Sequence, residues 1–223
     1  MNVLICEGKN DACFIDEIMK ERFNGRKHTI YDHNFDKLQE MLGTNCKFIR
    51  TRYSLIIYGD RGKPNIEKEL RRIVVETLGK YDDDLYINMI RDDDGVPYET
   101  LNQNLHKALQ SLLKDKSKFM VHFPNIECND DLFILKHPRS KGLLKVRLLT
   151  VPSNLEKMVV KKIAAIKCPH DSEILKELEN NAHIPLELLA NKYYSGKKCL
   201  LIRDSSTLLK NEAWVNDINR FVN

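Results

Sequence analysis

Short apolar runs and segments of helical periodicity alternate along the first half of the chain. The apolar runs lie at residues 3–6, 54–58, 85–90 and 119–123. Between them, apolar residues recur every three or four positions in amphipathic segments that span 12–23, 65–79 and 98–113. A continuous apolar run is typical of a parallel strand that is buried on both faces. The alternation therefore predicts an α/β fold with a central parallel sheet and helices on both faces.

The pattern changes after about residue 125. Two extended runs joined by the turn-rich stretch HPRSKG predict an antiparallel hairpin over 132–151. Ser153 is a good N-cap for the apolar segment that follows, and Glu156 three positions later completes a capping box. Further helices are predicted at 171–180, 185–190 and 205–221, the last capped by Ser205 or Ser206, with one strand at 198–202. We interpret the chain as an α/β core over 1–125 and a C-terminal α+β extension over 126–223 that packs on it.

Composition and charge narrow the class of protein. The chain has 223 residues, of which 42% are hydrophobic and 30% are charged, as expected for a soluble globular protein with one substantial core. No apolar run approaches the roughly 20 residues that span a bilayer, and the first residues resemble no signal peptide. We therefore expect a cytoplasmic protein without a membrane partner. The net charge of +4 permits an anionic partner such as nucleic acid without requiring one.

The cysteines and histidines give no metal-site pattern. The six cysteines are scattered and contain no CxxC pair, so we predict reduced, mostly buried thiols with neither a zinc site nor a disulfide framework. Cys168 and His170 form only a weak zinc half-site. The seven histidines show no metal-ligand spacing.

Acidic residues follow the predicted strands. Glu7 follows the first strand, and INMIRDDDG places Asp92, Asp93 and Asp94 directly behind the third. Aspartates this close raise one another's pKa unless a cation or hydrogen-bond donors compensate, although aspartate is also an ordinary turn residue. Because ligands of open α/β sheets bind outside the carboxyl ends of the strands, we predict that Glu7, Asp92 and Asp94 share Mg²⁺ or Mn²⁺. Asp93 should point away, since alternate residues of an extended turn face opposite sides.

The same stretches resemble the motifs of Toprim domains. VLICEGKND at 3–11 is similar to the first motif, a hydrophobic strand followed by Glu-Gly-x-x-Asp, and MIRDDDG at 89–95 resembles the later Asp-x-Asp strand exit. IIYGDRGKP at 56–64 occupies the place of the middle glycine turn. The resemblance covers roughly residues 1–125. It implies a Rossmann-like sheet and metal-dependent phosphoryl transfer or hydrolysis on nucleic acid.

The resemblance also implies roles for individual residues. Glu7 matches the glutamate that acts in acid/base chemistry, Asp92 and Asp94 match the metal-binding pair, and Asp11 matches the aspartate that opens the first helix. VPSNLEKMVV is similar to a segment of small and OLD-like Toprim proteins, which implies that Glu156 is a further metal ligand. Each residue also has a structural interpretation: a surface acid for Glu7, a helix N-terminal acid for Asp11 and a capping-box residue for Glu156.

The chain lacks the parts that several Toprim proteins need. It has no room for the DNA-gripping domain of a topoisomerase or the accessory parts of a primase, and it has no Walker A motif. Among the activities that the resemblance implies, we therefore expect that of a stand-alone metal-dependent nuclease, which hydrolyses phosphodiester bonds of DNA or RNA with Mg²⁺ or Mn²⁺. A non-catalytic nucleic-acid or nucleotide-binding module and a Mg²⁺-dependent small-molecule phosphohydrolase are the alternatives.

Basic residues near two turns are candidate contacts for a nucleic-acid partner. We favour DNA over RNA as this partner. A homodimer is also compatible with the sequence. Arg61 and Lys63 lie in the glycine turn at the predicted sheet edge. HPRSKGLLKVR carries Arg139, Lys141, Lys145 and Arg147 without an acid among them. A solvated loop or hairpin would show the same charges.

Overall fold

The computed structural model describes most of the chain. Outside the described residues lie 44–48, 50, 78, 115–124, 130, 139, 172–173, 175, 179–180 and 223, together with the side chains of 63–65, 113–114, 125–126 and 129. The predicted strand at 119–123 and the basic residue Arg139 fall in this undescribed part. None of the helices in the described part combines the length and hydrophobicity of a bilayer span.

Seven strands form one mixed sheet. They are β1 (Asn2–Cys6), β2 (Lys27–Ile30), β3 (Leu55–Gly59), β4 (Leu85–Asp92), β5 (Asn125–Asn129), β6 (Leu132–Lys136) and β7 (Leu144–Val151). The strand order is β2-β3-β1-β4-β7-β6-β5. The first five in this order run parallel, and β6 and β5 are antiparallel at one edge. The prediction of a Rossmann-like α/β fold with a central, mostly parallel sheet is confirmed.

Helices cover both faces of the sheet. They are α1 (Lys9–Arg22), α2 (Phe35–Leu42), α3 (Lys63–Thr77), α4 (Tyr98–Lys114), α5 (Leu155–Lys167), α6 (His183–Tyr193), α7 (Lys198–Leu209) and α8 (Ala213–Val222). Alternate residues of β1 point to the two faces: Leu4 packs with α1, α5 and the C-terminal helices, and Val3 packs with α2, α3 and α4. The apolar runs are therefore buried on both sides, as a parallel sheet requires.

The segment after residue 125 continues the sheet. The predicted hairpin is present as β6 and β7, and β7 pairs in parallel with β4 along its whole length, from Leu144 to Val151. The pairing of β7 with β6 ends at Arg147, opposite Leu132. The outer edge of β7 beyond Arg147 thus has no β6 partner, which leaves room for a groove described below.

Several predicted elements are wrong in the C-terminal region. The stretch 198–202 is the first turn of α7 and not a strand, so Ser205 lies inside a helix and caps nothing. The predicted last helix is two helices, α7 and α8. The N-cap of α5 is Asn154 and not Ser153, because the Asn154 side chain accepts a hydrogen bond from the backbone N–H of Lys157.

Two cysteines that we expected to be reduced are joined. Cys13 of α1 and Cys199 of α7 form a disulfide with a Cα–Cα distance of 5.7 Å. The prediction of reduced thiols is therefore wrong for this pair. The two residues are 186 positions apart, so only the packing of α7 on α1 brings them together.

Candidate functional site

A cavity of about 580 Å³ opens at the carboxyl end of the parallel strands. Five acidic side chains line it: Glu7, Asp11, Asp60, Asp92 and Glu156. Each of the five is only 5–8% exposed. Lys9, Arg61, Asn154 and His183 lie around the same cavity, which we call the acidic cavity.

Strand register explains why distant acids meet. Cys6 of β1 pairs with Gly59 of β3 on one side and with Ile90 of β4 on the other. Glu7 and Asp60 each follow their strand by one position, and Asp92 is the last residue of β4. The backbone N–H of Asp60 donates to the carbonyl of Cys6 at 2.9 Å, which holds the turns after β1 and β3 side by side.

Gly59 permits this close approach. A Cβ at Gly59 would lie 3.0 Å from the carbonyl oxygen of Gly8 and 3.1 Å from the Cβ of Ala12. A side chain there would push the start of α1 away from β3. Gly59 is therefore needed for the geometry of the acidic cavity.

Asp11 lies in the first turn of α1 with its carboxyl inside the cavity. Its Oδ2 accepts a hydrogen bond from the backbone N–H of Gly8 at 2.9 Å. Burial raises its pKa well above the ordinary value, and the negative charges of Asp92, Glu156 and Glu7 raise it further, against the lowering effect of the Gly8 hydrogen bond. The shift shows that these four carboxyls share one electrostatic environment.

Asp92 and Glu156 connect β4 to the start of α5. The Oδ1 of Asp92 accepts from the backbone N–H of Leu155 at 3.1 Å, and the Oε1 of Glu156 accepts from the side-chain amide of Asn10 at 3.1 Å. Since Asn154 is the N-cap, Glu156 is the second residue of the helix and not the third. The capping-box interpretation of Glu156 is therefore wrong, and its side chain lines the cavity instead.

The three aspartates of INMIRDDDG lie in different surroundings. Only Asp92 lines the acidic cavity. Asp93 accepts hydrogen bonds through Oδ1 from the backbone N–H groups of Ser153 and Gly95, which stabilise the turn. Asp94 is exposed, with a left-handed φ of 48°, and does not line the cavity. The structure therefore does not bring Asp94 together with Glu7 and Asp92.

Asp60 is the acidic residue of the cavity that the sequence analysis did not assign to the site. Neither of its carboxylate oxygens has a hydrogen-bond partner of good geometry among the described residues. Burial raises its pKa, although the neighbouring backbone N–H of Arg61 opposes the shift. The available signal was its position, one residue past a buried strand, which it shares with Glu7.

Basic side chains lie on two sides of the acidic cavity. The Nε of Arg91 is 3.6 Å from the Oε1 of Glu7. A terminal nitrogen of the same guanidinium is 3.4 Å from the Oε1 of Glu67. Arg61 is exposed at the rim and donates from Nε to the Nδ1 of His33 at 3.2 Å. The side chain of Lys63, the other predicted contact in this turn, lies outside what the structure describes.

The predicted basic surface of the hairpin lies elsewhere. Lys145 pairs with Tyr86 near the amino end of β4, whereas Asp92 is at the carboxyl end of the same strand. The Nζ of Lys145 contacts the Oδ2 of Asp84 at 2.5 Å, so its charge is compensated within the protein. Lys141 is exposed at the same end of the sheet. The structure thus does not bring these two lysines to the acidic cavity.

The carboxylates have the chemistry of a divalent-cation site but not its final geometry. Oxygen ligands from aspartate and glutamate are those that Mg²⁺ and Mn²⁺ prefer. Burial raises the pKa of Asp11, and the neighbouring carboxylates, whose charge a cation would offset, raise it further. Among the residues that the structure describes, no three His, Cys, Asp or Glu side chains come together as a metal-binding group. Cation binding would therefore require the side chains to move toward one another.

Comparisons with known proteins support the fold alone. No protein-family model and no curated sequence matches the chain. The crystal structure of a hypothetical protein from Pyrococcus horikoshii OT3 is similar over 99% of this chain and 94% of that one, with a TM-score of 0.50 and 14% sequence identity. At this identity the likeness extends to the α/β architecture and not to an activity.

Proposed function

We propose that the protein is a metal-dependent nuclease that hydrolyses phosphodiester bonds in the acidic cavity. The observation that carries the proposal is the convergence of five buried carboxyls from the ends of three parallel strands and the starts of two helices. Carboxyls buried close to one another raise each other's pKa unless a cation compensates, and perturbed acids that cluster in a cleft are typical of functional sites. The resemblance of the Glu7 and Asp92 segments to Toprim motifs supports the same activity.

Glu7, Asp92 and Glu156 are the proposed cation ligands. They come from β1, β4 and α5, and each lines the cavity. When bound, Mg²⁺ or Mn²⁺ would polarise the scissile phosphate and lower the pKa of a coordinated water. Asp11 and Asp60 lie beside these ligands and add negative charge that favours a cation.

Other residues of the cavity have proposed roles toward substrate. Glu7 accepts or returns a proton at its carboxylate, as the resemblance implies. Lys9 and Arg61 are exposed at the rim and are the proposed contacts for the flanking phosphates. Arg91 holds the Glu7 carboxylate in place through its ion pair.

Cleavage of labelled nucleic acid tests the proposal. Purified protein is incubated with single-stranded and duplex DNA and RNA in Mg²⁺, in Mn²⁺ or in chelator. Glu7→Gln should keep binding but lower cleavage by about 100-fold or more, the usual scale for a positioned acid/base group. Glu21→Gln, an exposed site near the other end of α1, is the matched control and should cleave like the parent. Metal-independent cleavage, or full activity of Glu7→Gln, would refute the proposal.

A non-catalytic nucleotide or nucleic-acid binding module is the second candidate. It is favoured by the absence of a ready metal-binding group among the described side chains. Such a module would bind nucleic acid equally with chelator and with Mn²⁺ and would leave the substrate intact. The same cleavage assay therefore distinguishes the two functions.

A further inference from the structure

A second and larger space lies on the far side of β7 from β4. It is a groove of about 780 Å³ between α4 and α8, and the part of β7 beyond its pairing with β6 lines it. Tyr98 of α4 forms one wall, and Trp214 and Phe221 of α8 form the other. Arg147 lies at the point where the pairing with β6 ends. We call this space the Trp214 groove.

Two buried donors in the Trp214 groove have no acceptor among the described residues. Trp214 is 7% exposed, and its indole Nε1 has no hydrogen-bond partner in the described part of the chain. The Nε of Arg147 is likewise buried and without a partner there. A buried donor without an acceptor is unfavourable, because it has lost its hydrogen bonds to water. A ligand with hydrogen-bond acceptors could therefore satisfy donors at the groove.

The walls favour a flat ligand. The guanidinium carbon of Arg147 lies 3.6 Å from the centroid of the Phe221 ring, so the two planar groups are in contact. Trp214 is held from behind by Phe14, with ring centroids 5.4 Å apart and an interplanar angle of 24°. Planar faces and unsatisfied donors together fit a nucleobase, which has a π-face and ring acceptors.

The Trp214 groove and the acidic cavity are neighbours. Val151 of β7 pairs with Asp92, and adjacent strands lie about 4.8 Å apart. Pro152, the next residue, lines the groove, and Asn154 lines the acidic cavity. A single turn at 152–154 therefore separates the two spaces, and a nucleotide chain with its phosphate in one is close enough to place a base in the other.

We infer that the Trp214 groove receives an unpaired nucleobase next to the phosphate held in the acidic cavity, so that the substrate is a single strand. This inference rests on the proposed function for the identity of the ligand. A paired base is stacked and turned toward its complement, and it cannot enter a groove between two helices without being extruded from the duplex. The groove thereby favours single-stranded over duplex nucleic acid.

The fluorescence of Trp214 reports directly on the groove, because it is the only tryptophan in the chain. A short single-stranded DNA is titrated into the protein in chelator, so that no cleavage occurs. We expect saturable quenching by the single strand and little by the same strand annealed to its complement. An otherwise identical strand with abasic sites should bind about 5- to 100-fold more weakly, the range expected for loss of base stacking.

Substitutions in the groove distinguish the contribution of stacking to single-strand binding from the contribution of charge. Phe221→Leu should weaken binding of the single strand about 5-fold or more, and Arg147→Lys should do the same while keeping the charge. Lys161→Gln removes an exposed charge of α5 that does not line the groove, and it should bind like the parent. If Phe221→Leu does not fold, Arg147→Lys and the abasic strand still decide the question.

The outcomes separate the two proposals. Equal quenching by duplex and single strand, or unaltered binding by both groove variants, would overturn the groove inference even if Mn²⁺-dependent cleavage is found. Base-dependent quenching without any cleavage would support the groove and overturn the nuclease. Binding measured in chelator tests the groove inference, and cleavage measured in Mn²⁺ tests the nuclease proposal, so each can be refuted without the other.

Discussion

Two buried aspartates on the same helix have opposite surroundings. Asp11 and Asp16 are both in α1, and both are buried. Asp11 faces other carboxylates, and its pKa is raised by burial and by the charges of Asp92, Glu156 and Glu7. Asp16 is also desolvated, but hydrogen bonds from Lys27, Tyr31 and Thr29 outweigh burial and lower its pKa.

The surroundings of Asp16 are those of a structural ion pair. Its Oδ1 is 2.7 Å from the Nζ of Lys27 and accepts from the Thr29 hydroxyl at 2.8 Å. Its Oδ2 accepts from the Tyr31 hydroxyl at 2.6 Å and from Arg203 at 3.2 Å. This network joins α1, β2 and α7. The difference teaches that burial alone does not decide the direction in which the pKa of an acid shifts; the hydrogen-bond donors and charges around the acid do.

Breaking the Asp16 network should have the largest effect on stability. Asp16→Ala removes the carboxylate partner of Lys27 and leaves Arg203 with Glu17 as its only carboxylate among the described residues, and we expect a loss on the order of 3 kcal/mol in the free energy of unfolding. Urea denaturation measures it. Binding of Mn²⁺ should not change. A loss below about 0.5 kcal/mol would show that solvent already screens the network.

Removing the charge of Asp11 should stabilise the folded protein, in contrast to the loss of stability expected for Asp16→Ala. In chelator, Asp11→Asn relieves repulsion while the amide oxygen still accepts from Gly8, so the melting temperature should rise by a few degrees; about 1 kcal/mol corresponds to about 2–4 °C in a chain of this size. With Mn²⁺ the parent should gain stability by linkage, and the advantage of the variant should shrink. A lower melting temperature for Asp11→Asn in chelator would contradict the acidic-cavity interpretation.

The pH dependence of the two variants should also differ in sign. The pKa of Asp11 is raised above its unfolded value of 3.8, so the folded state binds more protons, and the stability of the parent relative to Asp11→Asn should fall as pH rises above 3.8. The pKa of Asp16 is lowered from 3.8, so its contribution is present above that pH and should be lost as pH falls below it. Unfolding curves of the parent, Asp11→Asn and Asp16→Asn at pH 3 to 7 measure both trends.

Substitutions in the hairpin β6–β7 should have the smallest effect, both on stability and on the binding of nucleic acid. Lys145 is a partly exposed partner of Asp84, and such pairs contribute about 1 kcal/mol or less. The double substitution Lys141→Gln and Lys145→Gln should leave single-strand binding within about 3-fold of the parent, because both residues lie at the amino end of the sheet. A larger loss, with a flatter salt dependence, would restore the hairpin as a nucleic-acid surface.

The sequence predicted the fold where apolar runs were long and bounded by turns. The first, third and fourth strands were placed within two residues because Val3–Cys6, Leu55–Tyr58 and Leu85–Ile90 are buried on both faces. The strand β2, with the sequence KHTI, and the short helix α2 were missed. Only one of the four residues of β2 is fully buried, so its pattern resembles a loop.

Other errors arose where local patterns allow two structures. CLLI at 199–202 fits a buried strand or a buried helix, and a short apolar run cannot distinguish them. Ser153 and Asn154 are both good N-caps, and the contact of Leu155 N–H with Asp92 decides which one begins α5. Asp60 was missed because a glycine turn explained its surroundings equally well. The structure thus brings the predicted residues Glu7, Asp11, Asp92 and Glu156 together at one cavity, but it places Asp94 outside the cavity and adds Asp60. The roles of these residues stay predictions.

The disulfide between Cys13 and Cys199 makes most of the molecule a covalent ring. The bond closes a loop across 186 positions, which contains every strand of the sheet except β1. A protease that cuts one peptide bond anywhere between Cys13 and Cys199 therefore leaves a single covalent molecule. Cut protein should run as one band on a denaturing gel without reductant and as two fragments with it.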